Sequence, residues 1–282
     1  MNHGDTSYQL DELTEVIGKE DPELAEKYAE LCNSIKQCRS CIVAFSGGVD
    51  SALLAYLCSR LGPKCLCVTA DSLTLPRSEL SEARAFGVKY GLNLRFIQHN
   101  ELSDDRFAKN DEKRCYYCKD GLFTVLNEIK DKEGYECIFD GSNHDDLDDF
   151  RPGREAAVQN KVRSPLLEAK MSKEDIRKVS KALGLSTWDK PQMACLSSRF
   201  PRHTRINEED LKRVEKAEEA VKALGFRDVR VRIHGEIARI EIGRQEKVDI
   251  EGLRKAIPAI KALGFKYVAL DLEGYRTGSL NE

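Results

Sequence analysis

The sequence predicts an α/β protein in which a parallel-sheet domain is followed by a smaller α+β domain. Short apolar strands alternate with helical patterns from about residue 38 to residue 195, and a glycine-rich turn joins the first of these strands to a helix. After residues 200–201 the pattern changes to charged helices and alternating strands. Alternation of strand and helix is typical of βαβ units with right-handed crossovers. We expect a helical extension over residues 1–37, the parallel-sheet domain over 38–200 and the small domain over 201–282.

The elements of the first two parts follow from capping residues and apolar spacing. Asp21 can cap a helix over residues 21–37, and Pro22 suits its first turn. The predicted strands and helices of the sheet domain are strands 41–45, 64–70, 93–97 and 136–140 and helices near 50–61, 77–91 and 116–130. Because ligands bind beyond the carboxyl ends of parallel strands, we expect the site among the residues that follow these strands.

The third part is predicted to contain a helix, two strands, a second helix and a third strand. Residues 208–224 form a charged amphipathic helix, and residues 228–233 and 236–242 alternate apolar with polar side chains, as half-buried strands do. A second helical pattern over residues 248–263, which Pro258 is expected to kink or interrupt, leads to a strand over 267–272.

Composition is that of a soluble globular protein. The 282 residues are 41% hydrophobic and 33% charged, and the net charge of −3 disfavours broad nucleic-acid binding. Because no apolar run reaches membrane-spanning length and the chain begins without a signal-peptide pattern, we expect a cytoplasmic protein without a membrane partner. Structural disulfides are rare in that compartment. We therefore expect five cysteines to be free, buried thiols: Cys41, Cys58, Cys65, Cys67 and Cys137.

The turn over residues 46–51, which reads SGGVDS, is typical of an anion cradle between a strand and a helix. Glycines let backbone N–H groups approach phosphate oxygens, and Asp50 is suited to hold Mg²⁺. The pattern is neither a Walker P-loop nor a GxGxxG turn. It resembles the PP-loop of the ATP pyrophosphatases, which split ATP into AMP and pyrophosphate. The predicted nucleotide-binding residues are Ser46, Gly47, Gly48, Asp50, Ser51 and, after the second strand, Asp71.

Three cysteines are candidates for chemistry. Cys115 and Cys118 form a CxxC pair, which alone fits a redox pair, half a zinc site, cluster ligands or two helix residues. Cys195 lies among small polar residues beside an arginine, which suits a reactive or ligating thiolate. Three cysteines without a fourth suit a [4Fe–4S] cluster with one open iron that binds sulfide. The alternative is that the CxxC pair lies in a helix and Cys195 acts alone.

With these residues together, the chain resembles the LarE family of ATP-dependent sulfur transferases from about residue 38 to its end. The similarity rests on SGGVDS, on DFRPG over residues 149–153, on ACLSSRFP over residues 194–201, and on VRVRIH and IARIE over residues 229–234 and 237–241. The resemblance implies that a carboxylate of pyridinium-3,5-biscarboxylic acid mononucleotide is adenylated with ATP and Mg²⁺. Sulfur then replaces AMP and leaves a thiocarboxylate, as part of nickel-pincer nucleotide synthesis.

The resemblance also implies roles for individual residues. Cys195 would deliver the sulfur, either by giving up its own sulfur and becoming dehydroalanine or on a [4Fe–4S] cluster that accepts external sulfur. Cys115 and Cys118 place the chain with the cluster-bearing members, so the predicted cluster ligands are Cys115, Cys118 and Cys195. The predicted substrate-binding residues are Arg199, Glu218, Arg230 and Arg232. For Arg230 and Arg232 the alternative is the solvated face of a strand.

The family further implies a homo-oligomer, whereas the sulfur donor stays unidentified. Two other functions stay open. Some PP-loop enzymes of tRNA thiolation also pair this loop with a CxxC and a third cysteine. The negative net charge of the chain and the lack of zinc-ribbon cysteines disfavour this function. A non-catalytic nucleotide or iron–sulfur sensor would keep the loop without releasing pyrophosphate.

Overall fold

A computed structural model of the chain describes residues 13–147, 152–191 and 194–275. Contacts within the chain divide it into two compact units. Unit 1 comprises Met1–Asp71, Arg77–His99 and Cys115–Gln192, and unit 2 comprises Ser72–Pro76, Asn100–Arg114 and Met193–Glu282.

Unit 1 contains a four-stranded parallel sheet in the order β3-β2-β1-β4. Its strands are β1 (Ser40–Ala44), β2 (Lys64–Asp71), β3 (Leu94–Gln98) and β4 (Cys137–Phe139). Its helices are α1 (residues 13–20), α2 (Pro22–Lys36), α3 (Val49–Arg60), α4 (Arg77–Tyr90), α6 (Arg114–Glu133), α7 (Pro152–Gln159), α8 (Pro165–Glu168) and α9 (Lys173–Ala182). The short helix α5 (Asp105–Ala108) belongs to unit 2. The predicted α/β class with a parallel sheet is confirmed.

Helices cover both faces of this sheet, because neighbouring residues of a strand point to opposite sides. Val43 of β1 packs in the cluster formed with α2, α3, α8 and α9, which includes Leu54 and Ile176. Ile42, the preceding residue, packs in the second cluster with Phe123 and Leu126 of α6. The sheet is therefore buried on both sides and presents its carboxyl edge as the place for a site.

Unit 2 contains a three-stranded mixed sheet in the order β5-β6-β7. The strands β5 (Val229–His234) and β6 (Ile237–Ile242) are antiparallel, and β7 (Tyr267–Leu270) runs parallel to β6. Helix α10 (Glu208–Lys222) precedes β5, and the second helical pattern divides into α11 (Ile250–Arg254) and α12 (Ile257–Ala262). Pro258 lies in the first turn of α12, so the predicted interruption at this proline is confirmed.

Cys137 is not the free thiol that the sequence predicts, because it forms a disulfide with Cys38. Cys38 precedes β1, and β4 pairs with β1 so that Cys41 and Cys137 are partners in register. This pairing brings the Cα atoms of Cys38 and Cys137 to 6.6 Å, within the range of a disulfide. The prediction failed because it considered the compartment and not the strand order. The other predicted free thiols are confirmed, with Cys41, Cys58 and Cys67 buried and Cys65 half-buried.

Among the residues that the structure describes, none of the helices has the length and apolar composition needed to cross a bilayer.

Candidate active site

The predicted phosphate loop forms where β1 passes into α3. Phe45 is buried at the end of the strand, and Gly48 is the N-cap residue of α3. The hydroxyl of exposed Ser46 lies 3.0 Å from that of buried Ser51, which also donates to the Gly48 carbonyl at 3.2 Å. The first N–H groups of a helix have no intrahelical acceptors. The turn therefore offers two hydroxyls, N–H donors and the positive end of a helix dipole to an anion.

Gly47 is required in this loop for two separate reasons. Its φ of +78° lies in the left-handed region, which side chains disfavour. A Cβ at this position would also lie 3.0 Å from the Cβ of Ala83 in α4. Lys190 supports the same residue, because its Nζ donates to the Gly47 carbonyl at 3.2 Å and pairs with Glu79 of α4 at 2.6 Å.

Asp50, in the first turn of α3, has two polar partners from distant parts of the chain. Asn143 lies in the segment after β4, and its Nδ2 donates to one carboxylate oxygen of Asp50 at 3.3 Å. Lys173 Nζ forms an ion pair with the other carboxylate oxygen. Gly141 allows the segment after β4 to lie close to the first turn of α3, because a Cβ at this position would lie 3.0 Å from the backbone nitrogen of Ser51. A carboxylate is a preferred ligand of Mg²⁺, so the donor chemistry at Asp50 fits the predicted ion.

Asp140, at the carboxyl end of β4, is a buried and ionised carboxylate. It is only 3% exposed and accepts hydrogen bonds from Ser164 Oγ (2.6 Å), Ser142 Oγ (2.8 Å) and Lys119 Nζ (3.1 Å). Burial opposes ionisation, but Lys119 and the two hydroxyls outweigh it and hold the pKa of Asp140 below its usual value. Since Lys119 belongs to α6, this pair fastens the start of α6 to the carboxyl edge of the sheet.

The CxxC cysteines lie in the first turns of α6. Cys115 is exposed and Cys118 is half-buried, and residues three apart on a helix share one face. Cys118 directly precedes Lys119, whose bond to Asp140 places this part of α6 beside β4, the neighbour of β1. Two predicted cluster ligands and the phosphate loop therefore belong to the same edge of unit 1. Cys195 belongs to unit 2, so the complete ligand set stays a prediction.

Asp71 follows the second strand as predicted, and its carboxylate is bound by protein groups. Arg77 Nη1 lies 2.5 Å from one carboxylate oxygen, and Gln98 Nε2 donates to the other at 2.9 Å. The hydrogen bond from Arg77 is the main cause of a pKa below the usual value for Asp71, against the opposing effect of partial burial. A nucleotide contact by Asp71 stays a prediction.

In unit 2, Cys195 lies exposed immediately before a short 3₁₀ helix, Leu196–Arg199. The N–H of Leu196 donates to the Thr74 carbonyl at 2.8 Å, and the Thr74 hydroxyl donates to Glu101 at 2.9 Å. The Leu196 side chain is 1% exposed, so it anchors the turn in the interior. The thiol is thus accessible on a backbone that is held in place.

Three arginines that are at most 6% exposed donate to backbone carbonyls of the segment around Cys195: Arg114, Arg199 and Arg232. Arg199 Nη1 donates to the carbonyls of Ala194 at 3.0 Å and of Cys195 at 3.2 Å. The other two arginines donate to the carbonyls of Ser197, at 2.9 Å, and of Ser198. Together they hold the backbone on both sides of the thiol.

Glu218 of α10 balances the charge of Arg199, which is fully buried. The pair is bidentate, with Arg199 Nε at 2.6 Å from one carboxylate oxygen and Nη2 at 3.0 Å from the other. Glu218 also accepts a hydrogen bond from the backbone nitrogen of Val231 at 3.0 Å. All three guanidinium nitrogens of Arg199 are therefore engaged by protein acceptors, which is the arrangement of a positioning residue. Its predicted contact with substrate stays a prediction.

Arg230 and Arg232 lie on β5 and are only 2% and 4% exposed, so they do not form a solvated strand face. Arg232 binds Glu241 of β6 through Nε at 3.0 Å and Nη2 at 2.8 Å. Arg230 Nη1 lies 3.2 Å from Asp228, and its guanidinium carbon lies 4.7 Å from the ring centre of Tyr275. Burial of two arginines is costly without anionic partners, and these contacts supply them.

No protein-family model matches the chain. An uncharacterized protein of Synechocystis is 40% identical over 244 residues, which cover 85% of this chain and 91% of that protein. The pyridinium-3,5-bisthiocarboxylic acid mononucleotide synthase of Lactiplantibacillus plantarum is 35% identical over 262 residues, which cover 92% of this chain and 95% of the synthase. The chain belongs to the LarE family.

A third relative, an uncharacterized protein of Methanocaldococcus jannaschii, is 34% identical over 220 residues, or 77% of this chain and 84% of that protein. The match to the synthase confirms the family that the loop, the ACLSSRFP segment and the arginine strands predict. Of the DFRPG segment, residues 149–151 lie outside the described residues.

Sequence reasoning missed several residues of the site, above all Lys173, Lys119 and Arg114. Lys173 is the first residue of α9, where the helix dipole disfavours a cation. That unfavourable position was a signal that the lysine has an anionic partner, which the structure identifies as Asp50. Arg114 directly precedes the CxxC pair and Lys119 directly follows it. Neither carried a comparable signal, because charged residues are common at such positions of a helix.

Proposed function

We propose that this LarE-family protein is an ATP-dependent sulfur transferase. It adenylates a carboxylate of pyridinium-3,5-biscarboxylic acid mononucleotide and converts it to a thiocarboxylate during nickel-pincer nucleotide synthesis. The observation that carries the proposal is the 35% identity, over 92% of this chain, to a synthase named for the bisthiocarboxylic acid product. The intact glycine loop and the accessible thiol of Cys195 support it.

The first half-reaction makes the carboxylate reactive. A carboxylate oxygen of the substrate attacks the α-phosphorus of ATP, the bond to pyrophosphate breaks, and an acyl-adenylate forms. Ser46, Ser51 and the first N–H groups of α3 would bind phosphate oxygens. Asp50 would hold Mg²⁺, which when bound neutralises charge that builds on the leaving pyrophosphate. Lys173, now paired with Asp50, is placed to move its charge to a phosphate oxygen.

The second half-reaction transfers sulfur. A sulfur nucleophile attacks the acyl carbon, the bond to AMP breaks, and a thiocarboxylate remains. We assign the delivery of sulfur to Cys195 and the positioning of its backbone to Arg199, which binds the carbonyls of Ala194 and Cys195. Arg230, Arg232 and Glu218 stay the proposed substrate-binding residues, with arginine suited to bidentate contact with the nucleotide phosphate.

We further propose the cluster-bearing form of this chemistry, with a [4Fe–4S] cluster held by Cys115, Cys118 and Cys195. The accessible pair on one face of α6, at the same sheet edge as the loop, provides a thiolate donor set that fits such a group. When bound, the cluster supplies an open iron that accepts external sulfur. The site would then work repeatedly without loss of the Cys195 sulfur.

The test measures pyrophosphate release and thiocarboxylate formation separately, in anaerobically purified protein. With the pyridinium dicarboxylate nucleotide we expect both products, and with Cys195→Ala we expect pyrophosphate release but no thiocarboxylate. Pyrophosphate release with tRNA in place of the pyridinium nucleotide would instead support a tRNA thiolation enzyme. No pyrophosphate release with either substrate would indicate a sensor. Loss of adenylation in Cys195→Ala would mean that Cys195 is structural.

Iron and sulfide analysis tests the cluster. We expect both elements in the anaerobic protein and neither in Cys115→Ala or Cys118→Ala. Intact mass after turnover gives an independent result, because a loss of one H₂S would show that Cys195 was sacrificed. We also propose a homo-oligomer, which analytical ultracentrifugation of the same samples tests.

A further inference from the structure

Free thiols gather at the amino-terminal edge of the sheet of unit 1, opposite the edge that carries the phosphate loop. Cys41 is the second residue of β1, Cys65 is the second residue of β2, and Cys58 lies near the end of α3. Cys41 and Cys65 are direct partners in the parallel pairing of these strands, so their side chains lie on the same face. This group is separate from the cysteines of the proposed sulfur-transfer chemistry.

The geometry of these thiols is that of ligands around one ion. The Sγ atoms of Cys41, Cys58 and Cys65 all lie within 4.8 Å of one another. Cys67, two residues along the same face of β2, has its Sγ 3.9 Å from that of Cys65. Zinc–sulfur bonds of about 2.3 Å in a tetrahedron place two thiolates roughly 3.8 Å apart. The three Sγ atoms therefore lie within about 1 Å of the spacing of metal-bound thiolates.

We propose that Cys41, Cys58 and Cys65 bind one thiophilic d¹⁰ metal ion, Zn²⁺ or Cu⁺. Thiolates are soft ligands that select these ions over Mg²⁺ or Ca²⁺. Sulfurs this close converge on a single ion, whereas a cubane iron–sulfur cluster needs its cysteines farther apart. As each metal–sulfur bond forms, the thiol concerned releases its proton to water.

Burial and access are both compatible with such a site. Cys41 and Cys58 are fully buried, and Cys65 is half-buried, which gives an ion a path from solvent. Burial, together with contacts to Cys41 and Cys65, raises the pKa of Cys58 well above its usual value. The ligands join β1, α3 and β2, the strand–helix–strand unit that carries the phosphate loop. The ion would brace this unit, and the inference does not rest on the proposed function.

The test uses Cd²⁺ as the probe and the full chain with Cys115→Ser, Cys118→Ser and Cys195→Ser, which removes the accessible thiols. Titration without a reductant leaves the Cys38–Cys137 bond intact. We expect one Cd²⁺ per chain, a thiolate-to-metal charge-transfer band in the ultraviolet, a higher Tm, and three sulfur ligands by X-ray absorption. Cu⁺ should displace the Cd²⁺, and Zn²⁺ should do so when added in large excess.

Two variants in this background decide whether the named thiols are the ligands. Cys58→Ala should lose the band, whereas Cys32→Ala, a matched change at a buried cysteine of α2, should keep it. The proposal is overturned if the starting chain shows no band, if fewer than three sulfurs bind, if neither ion displaces Cd²⁺, or if Cys58→Ala keeps the band. Should circular dichroism show that Cys58→Ala does not fold, the sulfur count in the starting chain decides alone.

Discussion

Replacing Arg199 with lysine separates a positioning role from a substrate-binding role. Arg199 makes five hydrogen bonds, two to Glu218, two to the carbonyls of Ala194 and Cys195, and one to the hydroxyl of Ser198. A lysine keeps the charge that Glu218 needs, but its single nitrogen cannot reach both the carboxylate and the two carbonyls. The variant therefore keeps the buried ion pair and releases the backbone beside the thiol.

The expected size of the effect follows from the two hydrogen bonds to the backbone carbonyls beside the thiol, which lysine cannot make while it pairs with Glu218. Hydrogen bonds to the two carbonyls contribute about 0.5–1.5 kcal/mol each, or about 1–3 kcal/mol together. Because about 1.4 kcal/mol corresponds to a tenfold change in rate, Arg199→Lys should slow thiocarboxylate formation roughly 5- to 150-fold. Pyrophosphate release should change less than about twofold, since the proposed ATP-binding loop is intact.

The assay follows both products under single-turnover conditions and compares the KM for the pyridinium nucleotide. The matched control is Arg213→Lys on α10, where the arginine bonds to the Leu263 carbonyl at 2.9 Å and to Asp210, away from the Cys195 segment. This control should leave both rates unchanged. A raised KM and slower pyrophosphate release in Arg199→Lys, with normal sulfur transfer from the adenylate, would refute the positioning role and support a substrate contact.

Three further predictions concern unit 1. Gly47→Ala should abolish pyrophosphate release, because the new Cβ meets α4, whereas Gly62→Ala, also at positive φ but with open space, should keep it; equal activity in both would contradict the role of the close contact. Asp140 has a lowered pKa, so its ionised form stabilises the fold above the unfolded pKa of about 3.9, and this contribution is lost as pH falls through the lower folded value. The difference in free energy of unfolding between the native chain and Asp140→Asn should shrink only in that acidic range, as urea titrations at several pH values would show. Reducing the Cys38–Cys137 bond, which spans 99 residues, should lower the free energy of unfolding by about 4–5 kcal/mol, and reductant should not affect Cys38→Ala.

The helices and strands that the sequence predicted have local signals, whereas α7, α8 and α9 were not predicted. The side chain of Asp21 caps α2 by accepting a hydrogen bond from the Leu24 nitrogen at 3.1 Å, as expected from the sequence. Pro258 divides α11 from α12 because a proline is tolerated only in the first turn of a helix. Each of these features depends on residues within about one helical turn, so the order of amino acids reveals it directly.

The site was predictable only where it is contiguous. Residues 46–51 form the loop because the glycines and hydroxyls are neighbours in the chain. The partner of Asp50 is Lys173, 123 residues away, and no local pattern could name it. The same limit applied to Arg199, for which the family resemblance implied a substrate contact. Its burial and its bond to Glu218 emerge only when α10 and β5 pack together.

By itself, the order of amino acids determined the α/β class, the glycine turn between β1 and α3, and the family, since these rest on periodicity and on short runs of neighbouring residues. Tertiary structure alone decided which distant groups meet: Cys38 with Cys137, Asp50 with Lys173, and Cys41 with Cys58 and Cys65. The physical reason is that strand order and helix packing select these pairs from many that are compatible with the sequence. Their energies depend on the burial and distance that the folded chain creates.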